Sequence, residues 1–361
     1  MYVIHVINNL VVGGAERFLV QLAAKQHALG WRVGLLTLVE PNPLRAHLAS
    51  ESIEYQCIGR TRLNDPRLLT DVRDALAQAR PDVVHTHLFY ADVFGRLAAR
   101  WLRVRAIVST EHSTERGDLS WKRRAGMRFT ASIPHCMVAV SEAARARLTE
   151  RLAVPAARVC VIPNGVAVDD GRRAEPRSRA DLGLAADAML VGAVGRLVES
   201  KAYDDLLRAV AHLGEPRVQV LMVGDGPQAA PLRALAAQLG LASRVHWLGV
   251  RHDVPRLLKS LDVFVLPSLW EGHSVALLEA MAAGCACIVS ALPELVQALG
   301  GAGVTVPPHD VEGLAAALGR LLEAPEERHR LGSQAQREVE RYSIERSAQQ
   351  YVSLYNEILG T

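Results

Sequence analysis

Residues 267–284 read PSLWEGHSVALLEAMAAG, and the architecture of the chain can be inferred outward from this stretch. The apolar run that precedes it, residues 261–266, has the length and β-branched content of a buried strand. The chain then turns at Pro267, and a helical pattern begins near Ser274, an N-cap residue type, and stops at Gly284. The stretch is therefore predicted to form a strand, a loop and a helix.

This stretch also carries a candidate binding site. A helix that begins at the end of a buried strand offers unpaired N–H groups to an anion such as a diphosphate, here from Gly272, His273, Ser274 and Val275. Glu271 on the loop and Glu279 in the helix can accept hydrogen bonds from hydroxyls at opposite ends of one ligand, and sugar hydroxyls are such partners. A solvated loop charge and an ordinary helix glutamate are the structural alternative, which the E-x7-E spacing alone leaves open.

Length and composition indicate a globular chain of two domains. The 361 residues exceed one ordinary core, and 50% hydrophobic with 22% charged residues is typical of a soluble protein. Charged residues interrupt every apolar run before it reaches the length of a membrane span. The N-terminus lacks the basic region of a signal peptide, so we expect a cytoplasmic protein.

The cysteine pattern argues against a disulfide framework. The number is odd, and the one close pair is a C-x-C without a second cluster. We therefore expect buried thiols at all positions, namely Cys57, Cys136, Cys160, Cys285 and Cys287.

Charge is distributed unevenly although the net charge is only +3. Residues 1–166 hold 22 Lys+Arg and 14 Asp+Glu, a net charge of +8, whereas the remainder holds 19 and 24, a net charge of −5. Much of the excess lies in residues 96–128, including Trp121, Lys122, Arg123 and Arg124. A basic helix with an aromatic residue can dock on anionic lipid head groups or bind a phosphorylated acceptor. A solvated basic face is the alternative.

The first half alternates strands with helices, which predicts a parallel sheet and a Rossmann-like domain. The pattern gives strands at 2–7, 32–39, 82–86, 106–110 and 137–140, with helices after Gly13-Gly14, at 68–79, at 91–101 and from near Ser120. The glycine pair lets the backbone approach a phosphate or sugar closely, although a tight structural turn explains it equally well. It lacks the full G-x-G-x-x-G pattern, which disfavours a dinucleotide cofactor.

Polar residues follow three of these strands. Because ligands of open α/β sheets bind at the carboxyl ends of the strands, we consider them candidate cleft residues: His85, His87, Glu111, His112, Ser141 and Glu142. For any single histidine, a structural or surface role is the alternative. His112 is the strongest candidate.

The second half repeats the alternation after a segment, residues 169–179, that has the composition of a linker. Strands are predicted at 189–194, 218–223 and 245–248, with helices from Tyr203, from Pro227 and near Val254. Arg196 and Lys201 flank the first strand-to-helix turn and form a cationic clamp beside the Glu271 loop. An amphipathic helix at 344–359, with Ala348, Tyr351, Leu354 and Tyr355 on one face, can pack back on the first domain.

Taken in order, these features resemble retaining glycosyltransferases of the GT-B fold, in the large group numbered family 4. The matching motifs are GGAE at 13–16, TEH at 110–112, VSE at 140–142, VIPNGV at 161–166, VGRL at 194–197 with Lys201, VGDGP at 223–227, HWLGV at 246–250, and the E-G to E-A-M-A-x-G run. Each motif is weak alone, but the ordered set is specific and covers nearly the whole chain. The resemblance implies two Rossmann-like domains facing across a cleft: an acceptor-side domain, 1–166 with the helix 343–361, and a donor domain, 167–342.

The resemblance also implies residue roles. Arg196 and Lys201 would bind the diphosphate, Glu279 the ribose, Glu271 the transferred sugar, and His112 the sugar near the reacting carbon. Gly13 and Gly14 would allow close approach of the donor, backbone near Val250 and Arg251 would contact the base, and Glu16 would lie on the acceptor side. We expect no metal and no cofactor, because no D-x-D follows a strand and the cationic clamp would substitute for a metal ion. Residues 290–294 are about three residues shorter than the family pattern, and His273 replaces a common apolar residue.

The implied activity is the transfer of a hexose, with retention, from a nucleoside diphosphate sugar to an acceptor hydroxyl. A UDP-sugar is favoured as donor, and bacterial cell-surface polysaccharide, lipopolysaccharide or glycolipid synthesis is the implied setting. The acceptor would be a glycan or lipid-linked, with peripheral binding to the inner face of the plasma membrane. Nucleic acid is disfavoured because the second half is acidic. Two alternatives stay open, namely a sugar-nucleotide epimerase of this fold and a non-catalytic relative that binds nucleotide sugars.

Overall fold

The computed structural model describes residues 1–49, 51–112 and 121–361. The chain divides into two compact units, a first unit of Met1–Gly165 with Ile344–Thr361 and a second unit of Val166–Ser343. Each unit contains one parallel sheet whose strands are connected by helices. The predicted α/β class with two Rossmann-like domains is confirmed.

The first unit is built on seven parallel strands within its described residues. In chain order they are β1 (Tyr2–Ile7), β2 (Arg32–Val39), β3 (Glu54–Arg60), β4 (Val83–His87), β5 (Ala106–Glu111), β6 (Cys136–Ala139) and β7 (Val159–Val161). The spatial order is β3-β2-β1-β4-β5-β6-β7, so the strand order reverses between β1 and β4. Such a reversal opens a crevice at the carboxyl ends of the strands, where ligands of α/β sheets bind.

Helices connect these strands, and the pattern of apolar residues placed most of them correctly. They are α1 (Gly14–Ala28), α2 (Ala46–Ala49), α3 (Leu68–Ala79), α4 (Phe89–Trp101), α5 (Trp121–Thr130) and α6 (Glu142–Arg151). Every residue of β1 is buried, as expected for a central parallel strand covered on both faces.

The second unit repeats the plan with six strands. They are β8 (Met189–Val194), β9 (Val218–Val223), β10 (Val245–Gly249), β11 (Val263–Leu266), β12 (Ala286–Ser290) and β13 (Val304–Val306), in the spatial order β10-β9-β8-β11-β12-β13. Its helices are α7 (Val168–Arg173), α8 (Tyr203–Leu213), α9 (Ala229–Gln238), α10 (Val254–Lys259), α11 (Val275–Ala283), α12 (Pro293–Leu299), α13 (Val311–Glu323) and α14 (Pro325–Glu338). Short 3-10 helices lie at Pro43–Arg45, Ala156–Arg158, Ala180–Leu182, Glu199–Lys201 and Val339–Tyr342.

The C-terminal helix, α15 (Ile344–Leu359), packs on α1 and β5 of the first unit, as predicted. Ala348, Tyr351 and Tyr355 are fully buried on its apolar face, whereas Leu354 is only half-buried. The two tyrosine hydroxyls reach polar partners in the core, so this helix contributes hydrogen bonds as well as apolar area.

Two predictions from composition are corrected by the structure. Residues 169–179 are not simply a linker, because α7 covers the first part of that segment. Val168 and Gly171 are buried there, and a Cβ at Gly171 would clash with the backbone of Ala282 in α11. The thiols are not all buried either, since Cys57 and Cys160 are half-buried, and all five cysteines are free.

The strands that the pattern missed, β3, β7 and β13, lie at the edges of the two sheets. Edge strands are partly exposed, so their apolar signal is weak: β3 has no fully buried residue. Among the helices of the described residues, none has both the length and the apolar character needed to cross a membrane.

Candidate functional site

The loops after β8 and β11 bring two oppositely charged side chains into contact. These strands are neighbours in the second sheet, so their carboxyl ends lie at the same edge. Lys201 Nζ, at the end of a 3-10 helix, forms an ion pair with Glu271 Oε1 on the loop after β11. The Ser268 hydroxyl donates to the same carboxylate oxygen over 2.6 Å. Two residues predicted for donor binding therefore lie together.

Backbone contacts fix the position of the Glu271 loop. The Leu269 N–H donates to the Ser200 carbonyl over 2.8 Å, which joins this loop to the segment that carries Lys201. The Glu271 N–H donates to Glu294 Oε1 over 3.3 Å, and Glu294 is 8% exposed on the first turn of α12. The shortened segment after β12 thus contributes a buried carboxylate to this site.

Helix α11 begins and ends where the sequence predicts. Ser274 is its N-cap, with a side chain that accepts from the Leu277 N–H over 3.4 Å, and Gly284 ends it with a φ of 79°. Gly272 and Val275 are buried beside the cap, and Glu279 is half-buried within the helix. Apart from Leu277, which donates to the cap, the first-turn N–H groups have no backbone acceptor within the helix, so this helix end suits an anion.

Two glycines let the loops after β8 and β9 approach each other closely. Gly224 has a φ of 131°, and a Cβ at this position would overlap the carbonyl oxygen of Gly195. Gly195 has a φ of 153°, and a Cβ there would lie 2.7 Å from the Tyr203 hydroxyl. Only glycine fits these two positions. Any other residue would be strained at such a positive φ, and its Cβ would overlap a neighbouring atom. The turn that carries Arg196 therefore depends on this packing.

Other predicted donor residues of the second unit occupy different environments. Arg196 is exposed, and Val250 has 48% of its surface exposed. Arg251 donates to both carboxylate oxygens of Asp253, each over 2.8 Å. His273 packs on Tyr342 with ring centroids 5.0 Å apart, and burial lowers the pKa of His273 to about 4.

At the start of the first unit, α1 begins at Gly14 with Gly13 as its N-cap. The carboxylate of Glu16, which is 9% exposed, occupies the space that a Cβ at Gly13 would need. The glycine at position 13 therefore permits the Glu16 side chain to lie over the helix end.

The carboxyl ends of β1, β4 and β5 carry a chain of imidazoles. His5 Nδ1 lies 3.0 Å from His87 Nε2, and His87 Nδ1 lies 3.0 Å from His112 Nε2. At the far end, His5 Nε2 lies 2.7 Å from Gln26 Oε1. Burial lowers the pKa of His5 and of His112 to about 4, and it lowers the pKa of His87 well below its usual value. These rings are therefore neutral near pH 7.

His85, the fourth imidazole, has hydroxyl partners on both ring nitrogens. Its Nδ1 lies 2.6 Å from the Tyr355 hydroxyl, and its Nε2 lies 2.7 Å from Thr110 Oγ1. Burial and the neighbouring His5 keep the pKa of His85 well below 6.5. His85 is a fully buried part of the core rather than an open cleft residue.

Ser141, Glu142 and Glu111 have structural partners. Ser141 is the N-cap of α6 and accepts from the Ala144 N–H over 3.2 Å. Glu142 is exposed and lies 3.5 Å from Arg145, and Glu111 lies 3.7 Å from Arg147. Each of these three residues thus has a structural contact, and a role in a cleft stays a prediction.

The basic segment of the first unit is described only in part. Arg124 and Arg128 on α5 are exposed, and Phe129 has 75% of its surface exposed. The side chains of Trp121, Lys122 and Arg123, and the rest of the predicted segment at 113–120, lie outside the described residues.

One side-chain cluster in the described part of the chain has the composition of a metal site. Ligand atoms of His5, His85 and His87 lie within 4.8 Å of one another. Both ring nitrogens of His5 and both of His85 already have hydrogen-bond partners at 2.6 to 3.0 Å. A metal ion would have to displace these bonds, so the arrangement fits a hydrogen-bonded core better than a metal centre.

Sequence reasoning missed several residues of these sites: His5, Gln26, Ser268 and Glu294. A signal existed for His5, because it interrupts an otherwise apolar strand, YVIHVI. For Glu294 the signal was the preceding proline, which is typical of the first turn of a helix and indicates a position just after a strand. Gln26 gave no such signal, since a glutamine in an amphipathic helix is usually exposed.

Comparison with known proteins identifies the family. The family model described as "Glycosyltransferase Family 4" matches residues 12–170, and the family model described as "Glycosyl transferases group 1" matches residues 174–338. EpsF of Bacillus subtilis, named as a glycosyltransferase, is 31% identical over 305 residues, 80% of this chain and 78% of that protein. The chain therefore belongs to the group 1 glycosyltransferases of family 4, as the motifs predicted.

Two further relatives extend this result. The Escherichia coli UDP-Gal:alpha-D-GlcNAc-diphosphoundecaprenol alpha-1,3-galactosyltransferase is 31% identical over 249 residues, 65% of this chain and 64% of that protein. The crystal structure of Anabaena Alr3699/HepE in complex with UDP-glucose superposes with a TM-score of 0.86 at 23% identity, covering 99% of this chain and 100% of that one. The second likeness concerns the fold, which is the predicted GT-B class.

Proposed function

We propose that this glycosyltransferase transfers a hexose, with retention, from a UDP-sugar to an acceptor hydroxyl. The observation that carries the proposal is the meeting of Lys201, Glu271 and the α11 N-terminus at adjacent strand ends of the second unit. A cation and a helix N-terminus suit a diphosphate, and a carboxylate suits sugar hydroxyls. Relatives named for UDP-galactose transfer and for a UDP-glucose complex favour uracil as the base.

The arrangement acts on the charge that develops during the reaction. Breaking the bond between the sugar and the phosphate leaves an oxocarbenium-like sugar and a diphosphate with growing negative charge. Groups that bind this charge more strongly in the transition state than in the ground state accelerate the reaction. We assign this task to Lys201, Arg196 and the N–H groups from Gly272 to Val275.

Lys201 and Arg196 supply the positive charge that a divalent cation supplies in other transferases, so we propose a metal-independent reaction. Transfer that persists unchanged in excess EDTA would agree with this assignment, and transfer that EDTA abolishes and Mg²⁺ or Mn²⁺ restores would refute it.

The remaining donor contacts follow from the same assignment. Glu279 binds the ribose hydroxyls, Glu271 the hydroxyls of the sugar, and backbone near Val250 and Arg251 the base. His112, Gly13 and Gly14 are assigned to the sugar side of the donor. His273 contributes its backbone, since its ring packs on Tyr342.

On the acceptor side, we propose a lipid-linked or glycan hydroxyl in bacterial surface polysaccharide or glycolipid synthesis. The relative named for a diphosphoundecaprenol acceptor and the exposed Arg124, Arg128 and Phe129 support a membrane-presented acceptor. Glu16 is assigned to the acceptor side. Co-sedimentation with anionic vesicles that persists after Lys122, Arg123 and Arg124 are changed to serine would contradict this part.

Nucleotide binding to the wild type and to Glu279→Ala tests the donor site. We expect UDP to bind more tightly than GDP or ADP and to stabilise the protein against heat. Loss of the Glu279 carboxylate should weaken the affinity for UDP by about tenfold or more, because hydrogen bonds to a charged group contribute about 1.5 to 3 kcal/mol. Glu312→Ala, at an exposed position of α13 in the same unit, is the matched control and should leave affinity unchanged.

An acceptor screen with the preferred UDP-sugar then tests the reaction itself. Transfer with an unchanged anomeric configuration in the initial product supports the proposal. Epimer formation without an acceptor would identify an epimerase instead, and binding without turnover would identify a non-catalytic relative.

A further inference from the structure

The imidazole chain of the first unit has one end fixed by an amide and the other end open. It runs from Gln26 Oε1 through His5 and His87 to His112, with contacts of 2.7, 3.0 and 3.0 Å. At the open end, His112 Nδ1 is buried and has no hydrogen-bond partner among the described residues. The chain thus leads from the core to one unsatisfied polar atom.

The amide sets the direction of every hydrogen bond in this chain. A carbonyl oxygen can only accept, so His5 must carry its proton on Nε2 and, being neutral, accept at Nδ1. His87 must then donate from Nε2 and accept at Nδ1, which requires His112 to donate from Nε2. The Gln26 amide Nε2 donates in turn to the Tyr355 hydroxyl over 3.3 Å, which leaves Oε1 to accept from His5.

We propose that Gln26, His5 and His87 are positioning residues that hold His112 in its Nε2–H tautomer, so that its Nδ1 lone pair accepts a hydrogen bond from a hydroxyl of the transferred sugar. This inference rests on the proposed function for the sugar contact. The tautomer assignment itself rests only on the contacts within the first unit.

Other uses of the four imidazoles fit the geometry less well. A protonated His5 or His87 would place two N–H groups face to face at one 3.0 Å contact. Protonation of His112 on Nδ1 would bury a charge beside an atom that has no partner among the described residues, and burial lowers the pKa of this ring. A metal ion would break the bonds that His5 and His85 make on both ring nitrogens. A chain of neutral donors and acceptors satisfies all its ring nitrogens except His112 Nδ1.

In the proposed tautomer, His112 Nδ1 is an acceptor and never a donor near pH 7, while Nε2 donates to His87. A sugar hydroxyl can donate to it, whereas a carbonyl or a phosphate oxygen cannot. The site would therefore select a hexose with a free hydroxyl at this position and would discriminate against a donor in which fluorine replaces that hydroxyl.

NMR of protein labelled with ¹⁵N-histidine tests the tautomer directly. Long-range ¹H–¹⁵N spectra distinguish a protonated ring nitrogen from one with a free lone pair, and His112→Asn identifies the His112 signals. In the wild type we expect Nε2 protonated and Nδ1 unprotonated. A wild-type His112 protonated on Nδ1 would overturn the proposal, without the need for any variant of the chain.

Three glutamine variants test whether Gln26 directs the chain. Gln26→Met removes the acceptor and should give His112 a mixture of tautomers. Gln26→Glu restores an acceptor oxygen and should restore the single tautomer. Gln78→Met, at an exposed position of α3, should change nothing. A single unchanged tautomer in Gln26→Met would refute the role of Gln26.

Kinetics separate this inference from the proposed function. Gln26→Met should lower the rate of sugar transfer by a factor that follows the tautomer mixture, up to about tenfold, the value of one hydrogen bond, and leave UDP affinity unchanged. A wild type with the expected tautomer but without transfer from any nucleotide sugar would defeat the proposed function and the sugar contact. An altered tautomer with an unaltered transfer rate would defeat the sugar contact alone.

Discussion

At the strand ends of the second unit, a lysine, two glutamates and a helix N-terminus meet. In the first unit, four neutral imidazoles lead from inside β1 and β4 to the carboxyl end of β5. Both sheets are parallel. In each sheet the strand order reverses beside the first strand of the unit, between β1 and β4 in one and between β8 and β11 in the other. The same fold therefore supports charged chemistry in one unit and neutral hydrogen bonding in the other. The proposed roles follow this difference: the second unit is assigned to an anion and the first to an uncharged sugar.

The largest expected effect is a selective loss of stability of the first unit in acid. Burial lowers the pKa of His5 and His112 to about 4, below 6.5 in the unfolded chain. A depressed histidine pKa stabilises the fold above pH 6.5, and this contribution is lost as the pH falls towards 4. At pH 5, protonation of each of these two histidines in the unfolded chain should lower the free energy of unfolding by about 2 kcal/mol. His85 and His87 should lower it further.

One carboxylate opposes this loss. Burial raises the pKa of Asp92 to about 6. Protonation of Asp92 in the folded protein should therefore raise the free energy of unfolding by about 1 kcal/mol at pH 5. In the second unit, His273 has a pKa of about 4 and accounts for a loss of about 2 kcal/mol.

Hydrogen exchange, corrected for intrinsic rates, measures the two units separately. Between pH 7 and pH 5, the opening free energy of β1 and β4 should fall by several kcal/mol and by more than that of β8 and β9. Equal decreases in the two units would break the comparison.

The next largest effect concerns the charged site. Lys201→Met should lower kcat/KM for sugar transfer by about 100-fold, the range observed when one group that stabilises transition-state charge is removed. Steady-state kinetics with the preferred donor measure this change. Lys259→Met, at the end of α10 in the same unit, is the matched control and should leave kcat/KM within about twofold.

A double variant sharpens the assignment of Lys201. If Lys201 acts mainly by pairing with Glu271, the loss in Lys201→Met with Glu271→Gln should equal that of Lys201→Met alone. If the lysine binds the diphosphate and the glutamate binds the sugar, the two losses should add. Additive losses agree with the proposed roles.

The smallest effect concerns the glycine contact that shapes the Arg196 turn. Gly224→Ala should destabilise the protein by about 2 to 3 kcal/mol and weaken UDP binding, because a Cβ would overlap the Gly195 carbonyl. Gly214 also has a positive φ, of 67°, but it has open space around it. Gly214→Ala should therefore lower the free energy of unfolding by only about 1 kcal/mol and leave UDP affinity unchanged. Denaturant unfolding and calorimetry give both quantities, and equal costs at the two glycines would refute the steric argument.

Patterns in the sequence predicted the fold where burial is complete and local signals are strong. The bounds of the strand at Arg32–Val39 and the helix at Leu68–Ala79 agree with the structure, as does the Ser274 N-cap. Edge strands such as β3 escaped prediction because half-exposed residues lose the apolar pattern. The helix at Val168–Arg173 escaped because its packing on α11 outweighs a linker-like composition.

The sequence by itself determined the family and the residue types at the strand ends, since ordered motifs and apolar periodicity are local properties of the chain. It named Lys201, Glu271 and His112, and their roles stay predictions. Only the tertiary structure decided that Lys201 pairs with Glu271 and that Gln26 and His5 lie behind His112. These partners are far apart in the chain, and a hydrogen bond depends on distances of about 3 Å that the packing of strands and helices alone sets.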